Sequence, residues 1–345
     1  KVLLPKDYLR LKLTDSYYSD MSDASGTLWL DVKNRKWSEK LLDLTSLNIT
    51  HMPSLVEGSE PTSFLSNKIK NKFGFNKNVI VAGGAGDQSS GAIGSGVIKS
   101  KQAMISLGTS GVYFSPTSEF SSNTNKAIHS FCHCLPNTWH HMSVMLSATN
   151  CLNWICGING ISVKEAIKKA EFFFKESFLT KTIPFFLPYL SGERTPYNNP
   201  HLRGSFNFLG TETSLESMIY SVIEGICFGI KDGFEAVHEN SLKSKEIYLV
   251  GGGSKSVFWA DLLSSILNER IIVGEDSNFG AAIGASRLAM ISTGQYKKSD
   301  IILNMKRIRE HQPSKKILDL MQSRYQRWNQ IANINNQIAK KIINK

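Results

Sequence analysis

Gly83-Gly84-Ala85-Gly86-Asp87-Gln88 sets a carboxylate directly behind a glycine turn, with open backbone beside it. A carboxylate held in one orientation there suits a general base that takes a proton from a hydroxyl. The same Asp87 reads equally as a helix N-cap, a position that Asp favours. Ser106-Leu107-Gly108-Thr109-Ser110-Gly111 offers glycines that let the backbone approach an anion, with N–H groups and hydroxyls to hold a phosphate. A plain hairpin turn explains it as well. Leu249-Val250-Gly251-Gly252-Gly253-Ser254-Lys255-Ser256 nearly meets the dinucleotide pattern, with Ser256 where a third glycine or alanine would stand. Glu275 and Asp276 follow about twenty residues on, as an NAD-dependent Rossmann oxidoreductase requires. The alternative is a glycine turn against which an adenosine face can lie.

A fourth group has the ligand types of a zinc site: His129, Cys132, His133 and Cys134, then His140 and His141. Zinc sites take spaced pairs of ligands, whereas these crowd one strand whose side chains alternate between faces. They read as core residues. The sequence has no Gly-x-x-x-x-Gly-Lys-Ser/Thr loop, no Gly-x-Ser-x-Gly elbow and no His-Glu-x-x-His.

Positioning these groups takes a regular scaffold. The apolar run 79–82 predicts a buried strand feeding the first glycine turn, and the small residues 89–96 predict a helix packed very close to another backbone. Strands at 102–106 and 112–115 enclose the second turn, and a strand at 141–146 precedes helices near 150–156 and 163–175. Four prolines between 184 and 200 make 185–199 a loop. Residues 214–238 form a helix with Met218, Ile219, Val222, Ile223, Ile226 and Ile230 on one face. A strand at 246–250, a helix at 257–267, a strand at 270–273 and a helix at 280–290 complete an α/β alternation. The polar link at 99–101 marks a boundary between two parts.

At 345 residues the chain favours two domains and buries a core without disulfide or metal staples. With 41% hydrophobic and 20% charged residues and no long apolar run, it is neither disordered nor membrane-spanning. Its first residues lack the apolar stretch of a signal peptide. Five scattered cysteines, an odd number, point to reduced thiols in the cytoplasm. The net charge is +11, and from Lys297 to Lys345 basic residues outnumber acidic ones twelve to three. Only Tyr325 and Trp328 interleave with these charges, so the tail reads as a solvated helical end rather than a nucleic-acid surface.

Taken in order, several segments resemble the FGGY carbohydrate kinases, and within them the xylulokinases. They are residues 3–9, Asp20-Met-Ser-Asp-Ala-Ser-Gly26 with its continuation to Asp31, Ala82 to Asp87, Ser106 to Gly111, His129 to His133, Phe186-Leu-Pro-Tyr-Leu-Ser-Gly-Glu-Arg-Thr-Pro196 and Gly251 to Ser256. The likeness runs from about residue 2 to 290 and weakens in the basic tail. It implies the two-domain RNase H-like fold of the actin, hexokinase and sugar kinase ATPases. Residues 1–99 would be the C-terminal part of a first, sugar-binding domain, which is incomplete. Residues 100–345 would be a second, nucleotide-binding domain with a basic helical tail.

The activity that this implies is transfer of a phosphoryl group from ATP to D-xylulose, giving D-xylulose 5-phosphate, with ATP and Mg2+ as cofactors. Glycerol, ribulose and gluconate kinases of the same family, or a catalytically incomplete nucleotide-binding fragment, are the alternatives. By the resemblance Asp87 falls on the catalytic base, with Gln88 beside it at the sugar. Gly108, Thr109 and Ser110 fall on a phosphate-binding hairpin, and Gly251, Gly252, Gly253 and Ser256 on the adenosine turn. Three departures carry expectations. Phe208 stands where the family has glycine, which predicts a local change of backbone. Gln88 replaces the Asn of many xylulokinases, a choice shared with glycerol kinases. The Asp-containing, glycine-rich hairpin with which family members open is not found, so the chain is expected to be the C-terminal two-thirds of such a kinase with exposed apolar surface. The implied partners are the sugar, ATP, a missing N-terminal segment in trans and a second copy in a homodimer, with no membrane and nucleic acid disfavoured.

Overall fold

The structure is a computed structural model that describes residues 1–239, 243–275, 277, 279–297, 299 and 306–343. Asp276 and Lys345, both named above, lie outside the described residues, as do Lys298 and Asp300 of the basic stretch. The chain opens with α1 (Pro5–Thr14), whose proline sits in the first turn, where its missing N–H costs nothing. Strand β1 (Tyr18–Asp20) ends on Asp20, which caps α2 (Met21–Ala24) by accepting the N–H groups of Ser22 and Asp23. There follow β2 (Leu30–Asp31), β3 (Lys36–Trp37), α3 (Glu39–Asp43), β4 (Ser54–Val56), β5 (Pro61–Phe64), α4 (Asn67–Phe73), β6 (Ile80–Ala82) and α5 (Asp87–Gly94). β1 pairs in parallel with β4, and β5 pairs antiparallel with β6. Ala24, Leu30, Trp37, Leu42 and Met52 form the core of this part, with Cys132 reaching in from the following sheet.

The larger part begins with β7 (Gln102–Leu107), β8 (Gly111–Thr117), β9 (His129–Cys132) and β10 (Trp139–Met145). It continues through α6 (Thr149–Asn159), α7 (Val163–Glu176), β11 (Phe185–Leu187), β12 (Ser205–Asn207) and α8 (Leu215–His238). β13 (Glu246–Val250), α9 (Val257–Leu267), β14 (Arg270–Gly274), α10 (Gly280–Ser292), β15 (Arg307–His311) and α11 (Lys315–Ile343) complete it. Seven of these strands form one sheet in the order β15-β14-β13-β7-β8-β10-β9. β7, β13 and β14 run parallel, and the remaining neighbours pair antiparallel. Because α8 lies between strands β8 and β10 on one side and helices α6, α7 and α9 on others, it is buried nearly all round, Ile219, Tyr220, Val222, Ile223, Ile226 and Cys227 among its buried residues. Each such side chain contributes about 1.5–3 kcal/mol by leaving water.

Two expectations change. The stretch 185–199 is not loop throughout, since β11 pairs with β12 at its start before the prolines end the ladder. The basic tail is not simply solvated: Met321, Trp328 and Ala332 of α11 enter the main core, and the Trp328 indole N–H donates to the Phe186 carbonyl at 2.7 Å. Lys315, Lys316, Arg327, Lys340 and Lys341 are exposed, whereas Arg324 turns inward and donates to the buried Glu224 at 2.7 Å. The close helix predicted at 89–96 is present as α5. It is laid on α10 so tightly that a Cβ on Gly94 would run into the Gly280 carbonyl. Phe208 holds the left-handed backbone that a glycine adopts freely, with φ of 62°.

Candidate active site

β6 delivers the chain into the first glycine turn. Gly83 stands where a Cβ would collide with the Glu57 carbonyl, and Gly84 takes a φ of 75°. The N-cap of α5 is Gly86, so Asp87 is the first residue inside the helix rather than its cap. Its exposed carboxylate accepts the Gln88 N–H at 2.7 Å and meets the Gln88 amide at 3.4 Å. That leaves acceptor capacity facing outward.

The turn is held by side chains that sequence reasoning did not single out. Arg10 donates to the Gly83 carbonyl, while the Gly86 N–H donates to the Ser22 hydroxyl at 3.0 Å. Ser22 in turn donates to Asp20 at 2.5 Å, and the other Asp20 oxygen accepts the Lys6 ammonium at 2.5 Å. Asp7 joins from α1, pairing with Arg10 at 3.1 Å and Lys6 at 3.2 Å. Asp23 lies 3.6 Å from Lys6, beside Gly86. Burial raises the Asp23 pKa, with Asp20 and Asp7 adding to it and Lys6 opposing. Burial also works against the Lys6 charge, but Asp20 and Asp7 outweigh it and hold its pKa above the ordinary value. In the sequence, Lys6, Asp7, Asp20, Ser22 and Asp23 stood out only as part of the segments 3–9 and 20–31 that resemble the FGGY kinases, with no role attached to them.

The other two turns lie at the same end of the sheet. α5 packs on β7, with Gly91 and Ser95 both at Met104, and the chain returns from its C-terminal end through 95–101 to the start of that strand. β13 is parallel to β7, and its carboxyl end opens into Gly251–Gly253. Ligands in α/β sheets sit at the carboxyl ends of strands for this topological reason. Gly251, with φ of 87°, approaches within a would-be 2.8 Å of the Leu107 carbonyl, and Gly253 abuts the Leu107 side chain. The two glycine turns are therefore in contact.

Within the hairpin, the Gly108 N–H donates to the Ser110 carbonyl, and the carbonyls of Gly108 and Thr109 accept N–H groups at the start of α6. The N–H groups of Thr109 and Ser110 have no protein acceptor among the described residues. Both residues are exposed, as is Gly252, around which no atom lies near a would-be Cβ. Ser256 is differently employed: its hydroxyl accepts the Trp259 N–H and caps α9. Glu275, which the dinucleotide reading would place on a ribose, pairs with Lys306 at 3.1 Å.

Among the described residues no three His, Cys, Asp or Glu side chains converge on a metal position, those of the histidine and cysteine group included. His140 is buried and stacked on Phe114 with centroids 4.1 Å apart, and burial drives its pKa well down. None of the five cysteines forms a disulfide. Glu193 was also unforeseen as a structural group. It accepts the N–H groups of Leu146 and Arg194, and burial pushes its pKa up to about 8 against those bonds. No described helix is long and apolar enough to cross a membrane.

Residues 1–94 match the N-terminal domain of the FGGY family of carbohydrate kinases, and residues 103–293 match its C-terminal domain. The chain is 43% identical over 297 residues to a xylulose kinase of Escherichia coli, covering 86% of this chain and 60% of that protein. It is 34% identical over 289 residues to a xylulose kinase of Staphylococcus xylosus, covering 84% and 59%. The chain thus spans about three-fifths of the length of these curated relatives. A crystal structure titled as a xyloylose kinase from Brucella ovis superposes with a TM-score of 0.92 at 40% identity, covering 98% of this chain and 69% of that one. Plasmodium falciparum glycerol kinase with ADP shares the fold at 20% identity, with a TM-score of 0.78 over 96% of this chain and 66% of the other. With both domain patterns matched in order and relatives above 40% identity over most of its length, the chain belongs to the FGGY family of carbohydrate kinases.

Proposed function

We propose that this chain carries the base and nucleotide-side machinery of an ATP-dependent sugar kinase, with D-xylulose as the sugar and D-xylulose 5-phosphate as the product. The observation that carries the reading is that the glycine turns at Gly108–Ser110 and Gly251–Gly253 meet at the carboxyl ends of two parallel strands, while α5, which Asp87 opens, packs on one of those strands, β7. Asp87 takes the proton of the attacking sugar hydroxyl, a role worth about 10²- to 10⁴-fold in rate. The unpartnered N–H groups of Thr109 and Ser110 face the nucleotide phosphates, and adenosine lies against Gly251–Gly253. Phosphoryl transfer depends chiefly on such positioning and charge stabilisation. The described residues form no cage for Mg2+, which enters with the substrate as Mg-ATP. Gln88, already bonded to Asp87, lines the sugar side.

We assign residues 1–99 to the sugar-side domain and 100–345 to the nucleotide-side domain. The parallel pair of β1 and β4 has no further strand among the described residues, and Leu9, Leu28, Leu44, Phe64 and Phe73 are exposed in the same part. Parallel sheets ordinarily bury both faces, so this part is the place for a segment supplied in trans to add.

ADP formation from Mg-ATP with D-xylulose, L-ribulose, glycerol and gluconate tests the reading, with and without the N-terminal segment of the Escherichia coli relative. Xylulose-dependent turnover that Asp87→Asn abolishes is the expected result. Turnover that Asp87→Asn leaves intact removes the base assignment, and a preference for another sugar removes the substrate.

A further inference from the structure

β15 lies beyond the matched family region, which ends at residue 293, yet it reaches the nucleotide-side turn. It pairs antiparallel with β14 as the edge strand of the large sheet, and a bulge falls between Val273 and Gly274. Three bonds fix it to α9. His311 Nδ1 meets Asp261 at 2.6 Å, the Ser264 hydroxyl donates to the His311 carbonyl at 3.0 Å, and the Ser314 N–H donates to Ser265 at 3.1 Å. Arg309 shares the α9 side of the strand with His311, two residues on, as strand alternation requires. Its guanidinium donates to the Ser254 carbonyl at 2.6 Å. Ser254 folds back in turn, its hydroxyl donating to the Gly251 carbonyl at 2.7 Å and its N–H to the same oxygen at 3.1 Å.

Arg309 forms no ion pair with a carboxylate among the described residues, whereas its neighbour Arg307 pairs with Glu246 and Glu310. An arginine anchored on a fixed strand, spending its charge on a neutral carbonyl, constrains that carbonyl strongly, because hydrogen bonds from a charged donor are roughly twice as strong as neutral ones.

We propose that Arg309 is a positioning residue for nucleotide binding: through Ser254 it holds the Gly251–Gly253 turn in the shape that receives adenosine. The proposal rests on the reading of that turn as the nucleotide site. Loss of the guanidinium lets Ser254 and Gly251 sample other conformations, so the cost falls on ligand affinity.

The test is calorimetric titration of ADP into the full 345-residue chain, wild type, Arg309→Ala and Arg309→Lys, with melting temperatures taken without ligand. The expected result is ADP binding about tenfold weaker in Arg309→Ala, most of it restored in Arg309→Lys, with ligand-free melting little changed. Should Arg309→Ala fail to fold, Arg309→Gln keeps the stem and replaces it. Unchanged ADP affinity overturns the proposal, as does a loss that only tracks lowered melting and that Lys does not repair. Wild-type chain that binds no ADP overturns the nucleotide-site reading itself, and the proposal with it.

Discussion

Gly284 of α10 lies against Ser90 of α5 with no room for a side-chain atom between them: a Cβ on the glycine would enter the Ser90 carbonyl oxygen. The Ser90 hydroxyl also donates to the Ala281 carbonyl at 2.7 Å, and Arg287 donates to the carbonyls of Ile93 and Gly94. The helix that begins with Asp87 is thus seated on α10. Gly284→Ala is expected to destabilise the chain by about 1–3 kcal/mol by forcing the two backbones apart. Urea unfolding measures this, and an unchanged midpoint would show that the helices separate freely.

Asp20 joins the Lys6 charge to the Ser22 hydroxyl that holds Gly86, and it is fully buried. Asp20→Asn takes from Lys6 its shortest carboxylate contact and leaves it Asp7 and Asp23, and it is expected to cost about 1.5–3 kcal/mol, the usual range for a hydrogen bond to a charged group. Ser22→Ala should cost less, since it removes one neutral bond to the turn. Equal losses in the two variants would contradict this ordering.

Glu193 titrates within reach of ordinary buffers. Its folded pKa of about 8 lies above that of an unfolded carboxylate, so its contribution is complete below the ordinary carboxylate range and is lost as pH rises through about 8. Stability should fall by a few kcal/mol between pH 5 and pH 9. Glu193→Gln, which cannot ionise, should flatten that decline. Melting curves across the range decide it, and a wild-type profile matching the variant would refute the assignment.

His140 acts at the other end of the scale. Its folded pKa is driven well down by burial, with His133, His141 and His129 adding to the effect. The neutral ring is favoured in the fold, so stability present above about pH 6.5 is lost as pH falls below it. His140→Phe, stacked on Phe114 in the same way, should remove this acid sensitivity. Parallel acid-unfolding curves for the two proteins would count against it.

Phe208 is exposed and holds a left-handed backbone at a position that suits glycine. Phe208→Gly relieves about 1–2 kcal/mol of backbone strain against a smaller entropic cost in the unfolded chain, for a net gain of roughly 0.5–1 kcal/mol. The edge contact of its ring with Phe185, centroids 6.2 Å apart, is the only described ring contact given up. A lower melting temperature would mean that this contact outweighs the strain.

Glycine was the legible part of the site. Gly83, Gly251 and Gly253 mark turns because only glycine fits beside the carbonyls and side chains that they touch, and Gly84 because of its left-handed φ, and that local constraint is written at each position. The small-residue run of α5 was readable for the same reason. The brace around Asp87 was not, since Arg10 and Ser22 reach residues more than sixty positions away and local patterns are silent on such pairings. β15 was hidden because Arg307-Ile308-Arg309-Glu310-His311 is too polar to read as a strand, and it pairs only on one side. α11 was half legible: its charge showed, whereas the burial of Trp328 depended on Phe186, far upstream.

The seating of α5 on α10 also bears on how such chains can be recombined. A crossover at the polar link 99–101 looks harmless in sequence, yet it would join one parent's α5 to another parent's α10 across a surface with no tolerance for a methyl group. Chimeras broken there should express poorly unless both helices come from one parent. α5 and α10 are inherited as a pair, across the apparent boundary.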